Sequence, residues 1–225
     1  PINATHYNER TTKRISRRPK RQSKTNQYSL VGLRYQKTVI RISLVLNYMS
    51  LLYHLFPGIS DCKSIMLPTW EDEDRPWEIL SLEENGLTAQ IRRLFEGGVF
   101  IHPEAEIGDF VEIEGPCYVG ANAEVRHSAF LRKGSWISEG AVVGHSSEVK
   151  NSILLPNSKA PHFNYVGDSI LGMGVNIGAG VKLSNVRNDR REVSVVLKTG
   201  ERVFTGLRKL GALIGDKSQL GCNVV

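Results

Sequence analysis

The sequence predicts an all-β solenoid over residues 99–225, and three regularities carry that expectation. Ten aliphatic residues recur at intervals of six: Ile101, Ile107, Ile113, Val119, Val125, Leu131, Ile137, Val143, Val149 and Leu155. The residue two places before each is mostly small, as at Ala105, Ala123, Ala129, Ser135, Ala141 and Ser147. Glycine follows the aliphatic at 108, 120 and 144. A helix repeats every 3.6 residues and a strand every 2, so neither yields a strict six. Short strands joined by turns do, each turn placing one aliphatic inside with a small residue beside it.

Taken in order, the chain begins with a basic tail. Residues 1–41 hold 11 Lys and Arg against one acidic residue, and the other 184 hold 18 against 22. The overall +6 therefore misrepresents an acidic body. The run from Arg10 to Lys24 carries no interleaved aromatic and no recognition motif, so a solvated tail is expected and no nucleic-acid partner. Residues 38–56 are long and apolar, but Arg41, Asn47 and His54 interrupt them. Charges and amides near mid-bilayer are costly, so no membrane partner is expected. Met66 reads as a natural start, which makes 1–65 a basic tail and apolar segment foreign to the folded domain. Residues 66–98 form a short helical lead-in, with Pro76 at a first turn, Asn85-Gly86 dividing it and Gly97-Gly98 ending it.

The hexads run from Val99 to Leu155 and then stop at a His-containing stretch, SKAPHFNYVGDSILG, resuming at Leu171, Ile177 and Leu183. That interruption is where chemistry is expected. EVSVVLKTGERVFTGL alternates around a Lys-Thr-Gly-Glu turn and predicts a protruding hairpin. The count appears again at Ile214 and Leu220, and the solenoid is expected to continue beyond Val225. Cys62, Cys117 and Cys222 are odd in number and lack a C-x-x-C pair, which points to reduced thiols in a cytoplasmic protein with Cys117 in the core.

Arg132 and Lys150 each follow an interior aliphatic and stand 18 residues apart. If they project one above the other, two repelling cations favour an anion such as phosphate. His162 follows Lys150 by 12 residues, and an imidazole beside cations releases its proton more readily, as a general base should. Solvated corner residues and a structural loop histidine are the plain alternatives. Tyr165, Asn176 and Asn185 add polar groups, and Gly178-Ala179-Gly180 permits close approach to backbone N–H groups.

These hexads resemble those of the hexapeptide-repeat proteins, which form left-handed parallel β-helices of roughly 18 residues per triangular coil. The gap-free stretch from Arg132 to about Asn185 resembles the acetyltransferase half of the bifunctional enzyme that makes UDP-N-acetylglucosamine. The resemblance is to a divergent, sugar-phosphate nucleotidyltransferase-like branch. It implies acetyl transfer from acetyl-CoA to the amine of glucosamine 1-phosphate, in a homotrimer, with no metal required. Arg132 and Lys150 would hold the sugar phosphate, and Tyr165 and Asn176 would contact the substrate. His162 would take the amine proton, with Asn185 orienting its ring. The backbone of Ala179 and the residue at Cys222, a serine in the family, would lie near the coenzyme.

Departures are clear. Val186 stands where the family has Tyr, and Arg190 or Arg191 stands near the place of a substrate-contacting Lys. A non-catalytic trimerising or regulatory β-helix of a nucleotidyltransferase therefore stays open beside the acetyltransferase.

Overall fold

The structure is a computed structural model and describes residues 50–225. The basic run and most of the 38–56 segment lie outside the described residues. Residues 49–225 form one compact unit.

Short parallel strands wind about five turns of a β-solenoid whose cross-section has three sides. Sheet A stacks β1 (Val99–Ile101), β4 (Cys117–Val119), β7 (Ser135–Ile137), β10 (Ser152–Leu154), β13 (Ile170–Leu171) and β18 (Leu213–Ile214). Sheet B stacks β2 (Glu106–Ile107), β5 (Glu124–Val125), β8 (Val142–His145), β11 (Lys159–His162), β14 (Asn176–Ile177) and β19 (Gln219–Leu220). Sheet C stacks β3 (Glu112–Ile113), β6 (Phe130–Leu131), β9 (Glu148–Lys150), β12 (Tyr165–Gly167) and β15 (Lys182–Leu183). The expected hairpin is present as β16 (Ser194–Val196) and β17 (Arg202–Phe204), paired antiparallel.

The aliphatics of the hexads fill the interior, as expected, through Val149. The winding then departs from six. Cys117 pairs with Ser135, 18 residues on, but Ser135 pairs with Ser152 and Ile153 with Ile170, each 17 on. Leu154 is the interior residue of that coil, and Leu155, the tenth residue of the sequence pattern, is buried in the outer cluster instead. Ala160 and Val166 continue the interior row. The stretch around His162 is therefore no interruption. Two five-residue steps, Val149 to Leu154 and Val166 to Leu171, shorten the coils at the corner between sheets C and A. Asn151 and Asp168 turn these corners with positive φ (44° and 46°), a conformation that short polar side chains tolerate better than most.

Three interior serines line the same corner. Ser135 Oγ donates to Arg132 O at 2.6 Å, and Ser152 Oγ donates to Lys150 O at 2.7 Å. Ser152 Oγ also accepts from Ser169 N at 3.0 Å, and Ser169 Oγ accepts from Ala212 N at 3.0 Å. The hydroxyls thus carry backbone pairing from coil to coil where the turns leave it incomplete.

The outer face of sheet A carries an apolar column: Phe100, Tyr118, Trp136, Ile153, Ile170 and Leu213. The lead-in covers it. The lead-in consists of α1 (Leu51–Leu55), two 3-10 turns (Pro57–Asp61 and Pro76–Leu80) and α2 (Leu87–Leu94), the last two divided at Asn85-Gly86 as expected. It runs back down the solenoid. Gly58 N donates to Asp216 Oδ2 at 2.8 Å near the last coil, while Phe95 stacks on Phe100 and Tyr118 in the first two. Leu52 and Phe56 are buried in the same cluster as Trp77, Leu87, Ile91 and Trp136. Packing on the solenoid thus begins at about residue 50, and residue 65, the expected boundary of the folded domain, marks no break. The sequence reading missed this because Leu51–Phe56 lies inside a longer apolar run and lacks the six-residue signature.

Candidate active site

The site residues fall at two edges of sheet C. At the edge facing sheet A, Arg132 and Lys150 do occupy one corner in successive coils, because Leu131 pairs with Val149. They are not bare cations. Arg132 Nη1 bonds Glu148 Oε1 at 2.8 Å, with Glu114 at 3.9 Å, and Lys150 Nζ lies 3.5 Å from Asp168 Oδ2. The expected repelling pair is thereby corrected: carboxylates interleave with the cations and offset their repulsion. Donor capacity remains, since a guanidinium offers five N–H groups and an ammonium three.

Asp168 organises this edge. It is buried, and its carboxylate receives Asn151 Nδ2 at 2.7 Å together with a hydrogen bond from Asn185 Nδ2. Asn151 Nδ2 also donates to Leu80 O at 2.8 Å, which ties the corner to the lead-in. Asn185 Nδ2 donates to Tyr165 Oη at 3.3 Å. Burial pushes the Tyr165 phenol above its ordinary range and the Asn185 donor draws it back. Glu148 and Asp168 push it up again, and Arg132 opposes them. Tyr165 thus stays a neutral phenol whose own proton is free to donate.

His162 stands at the opposite edge. It ends β11, whereas Lys150 pairs with Gly167 at the far end of β12. Within one protomer, the argument that nearby cations ease deprotonation of His162 does not apply. Asn185 bonds Asp168 and Tyr165 and makes no hydrogen bond to His162, so the expected ring-orienting contact is also corrected.

What does hold His162 is Asn164, a buried residue in an interior position that sequence reasoning passed over. Its Oδ1 accepts from His162 N at 2.9 Å, and its Nδ2 donates to Gly178 O at 2.7 Å. The signal was available: Asn replaces the usual small residue two places before Val166. Gly180 N donates to His162 O at 3.0 Å, bringing the Gly178-Ala179-Gly180 turn beside the histidine. Among the described residues no acceptor takes the Ala179 N–H, so it remains available. The exposed Cys222 adjoins the same turn, because a Cβ on Gly178 would lie 2.6 Å from its backbone nitrogen. Asn176 lies on sheet B, between Lys159 and Gln219.

Two separated half-sites on one sheet, each with free donors, are the arrangement to set beside known proteins. The profile of the GMPPB C-terminal domain family matches residues 113–225, half of the chain, from the first coil to Val225. The chain belongs to that family. It is also similar to a bifunctional sugar-1-phosphate nucleotidylyltransferase/acetyltransferase of Sulfurisphaera tokodaii, with 38% identity over 173 residues. That match covers 69% of this chain and 41% of the relative. The bifunctional protein GlmU of Methanocaldococcus jannaschii is 38% identical over 164 residues, covering 69% and 40%. The chain thus spans about two fifths of the length of these relatives. The acetyltransferase domain of PglB from Neisseria gonorrhoeae overlaps 37% of this chain and 47% of that domain, at 23% identity and a TM-score of 0.23. That overlap is too slight to build on. No helix among the described residues is long and apolar enough to cross a membrane.

Proposed function

We propose that the chain is an acetyl-CoA-dependent N-acetyltransferase acting on an amino-sugar phosphate, glucosamine 1-phosphate being the first candidate. The similarity to bifunctional nucleotidylyltransferase/acetyltransferases across Arg132–Asn185 carries this reading. Arg132 and Lys150 supply the phosphate contacts, using donors that Glu148 and Asp168 leave free. Tyr165, steadied by Asn185, donates to the sugar, and Asn176 contacts the substrate from a neighbouring face. His162 accepts the proton of the attacking ammonium, because only the neutral amine has the lone pair that attacks the thioester. The Ala179 N–H stabilises the oxyanion of the tetrahedral intermediate, which collapses to the amide and free coenzyme A thiol. Cys222 flanks the coenzyme.

The two half-sites do not meet within one protomer, and this supports a homotrimer in which one copy's His162 edge faces another's Lys150 edge. The exposed rings of Phe110 and Phe163 flank the His162 edge, where such a contact would cover them. The second reading is a non-catalytic β-helix attached to a nucleotidyltransferase. The carboxylate partners of Arg132 and Lys150 favour it, since they occupy both cations without a ligand.

Thiol release from acetyl-CoA in the presence of glucosamine 1-phosphate separates the two. On the first reading, His162→Ala lowers turnover by about 10²–10⁴-fold with binding nearly intact. Arg132→Ala weakens binding of the sugar phosphate by about 1.5–3 kcal/mol and spares unphosphorylated glucosamine. Full turnover in His162→Ala removes the proposed base, and absence of thiol release in the wild type leaves the non-catalytic reading.

A further inference from the structure

Beside the Lys150 corner lies a cleft of about 1040 Å³ that neither half-site uses. Three pieces of chain wall it: the lead-in between Thr69 and Arg92, the corner bearing Lys133, Lys150 and Asn151, and Thr205–Lys209 after the hairpin. Small-molecule sites run to about 1,000 Å³, so the cleft has room for a ligand larger than a sugar phosphate.

Its charges are unequally engaged. Four of its carboxylates already have partners within the protein. Glu71 accepts from Asn85 Nδ2 at 2.6 Å, Asp72 accepts from the Asp74 N–H at 2.9 Å, and Glu78 pairs with Arg75 at 2.7 Å. Asp168 is held as described above. The cations differ. Among the described residues, Arg92, Arg208 and Lys209 have no carboxylate within 4.0 Å, and the partner of Lys133, Glu114, lies outside the cleft. Free positive charge thus converges on one concavity from all three walls.

Two buried polar atoms at the cleft also lack partners: the Trp70 indole N–H, a donor, and Asn151 Oδ1, an acceptor on a residue only 4% exposed. Buried groups of this kind are normally hydrogen-bonded. A phosphate oxygen would complete the first and a ligand hydroxyl the second. Leu82, 87% exposed, and Leu207 add an apolar patch suited to a planar ring.

We propose that this cleft binds a nucleoside diphosphate, free or esterified to a sugar. Arg92, Lys133, Arg208 and Lys209 take the phosphates, the buried acceptor takes a ribose or sugar hydroxyl, and the base covers Leu82 and Leu207. The site does not depend on the transferase reading, since Arg132 and His162 are not part of it. Lys150 borders both and is left out of the test.

Calorimetry on the full 225-residue chain with UDP, GDP and inorganic pyrophosphate tests it. Saturable nucleotide binding is expected, weakened at least ~10-fold by the double change Arg208→Ala/Lys209→Ala, each lost charged contact contributing about that much. Leu82→Asp should weaken the nucleotides but not pyrophosphate. His162→Ala should leave all three unchanged, so loss of acetyl transfer and loss of this site are told apart. Arg92→Ala, from a different wall, repeats the test if the double variant melts early. No saturable binding at millimolar ligand, or binding indifferent to both cation variants, overturns the proposal. Pyrophosphate binding as tight as that of the nucleotides, unmoved by Leu82→Asp, overturns its nucleoside part.

Discussion

Sheets A and C are built from the same repeat and share one interior, yet their outer faces have opposite fates. The outward column of sheet C runs Glu112, Phe130, Glu148, Tyr165, Lys182 and stays partly or wholly open to solvent. That of sheet A runs Phe100, Tyr118, Trp136, Ile153, Ile170, Leu213 and lies beneath the lead-in. The period of six specifies what points inward. Which side carries a second layer is specified by the residues between, one per coil on each face, and reading them needs the coil length as well as the period.

The largest test of this difference is to remove the cover. A chain beginning at residue 66 loses Leu52 and Phe56 from the outer cluster, and each buried side chain of that size contributes about 1.5–3 kcal/mol. We expect denaturant unfolding to show a loss of roughly 4–6 kcal/mol relative to a chain beginning at residue 49. Unchanged stability would mean that the lead-in rests on sheet A without supporting it.

Single substitutions sharpen the contrast. Trp136→Ala, on the covered face, should cost about 3–5 kcal/mol, whereas Lys182→Ala, on the open face, should stay within about 0.5 kcal/mol. Equal effects would remove the distinction between the faces.

The smallest effect is a pH dependence from beneath sheet A. Burial pushes the Cys117 thiol up to about 11 from 9.0. Its folded value exceeds its unfolded one, so its contribution is complete below pH 9 and is lost as pH rises toward 11. Cys117→Ala should therefore flatten the alkaline limb of stability against pH while costing some stability at neutral pH. An alkaline limb of unchanged slope would show that the thiol does not titrate on unfolding.

Much of the solenoid was legible in the sequence, because nothing but a coil of short strands repeats aliphatics at six. The slip was not, because Leu154 and Leu155 are both apolar and both buried, one inside and one outside. Only the short polar corner residues, Asn151 and Asp168, hinted at shortened turns. In the candidate site, the stacking of Arg132 over Lys150 followed from their spacing. Their acidic partners did not. Asp168 reaches Lys150 because that coil is one residue short, so the partner falls off the 18-residue count. Asn164 was hidden for the opposite reason: it sits in register, in a place where a small residue is the rule.

The serine row at the shortened corner gives the solenoid a spine. Ser152 answers to Lys150 below and Ser169 above, and Ser169 reaches on to Ala212 across the whole hairpin insertion. The 40-odd residues between coils five and six are therefore spliced out mechanically: the sixth coil seats on the fifth as though the hairpin were not there. Sequence can be lengthened or shortened inside that excursion, and the walls it lends to neighbouring clefts reshaped, without disturbing the thread of the winding.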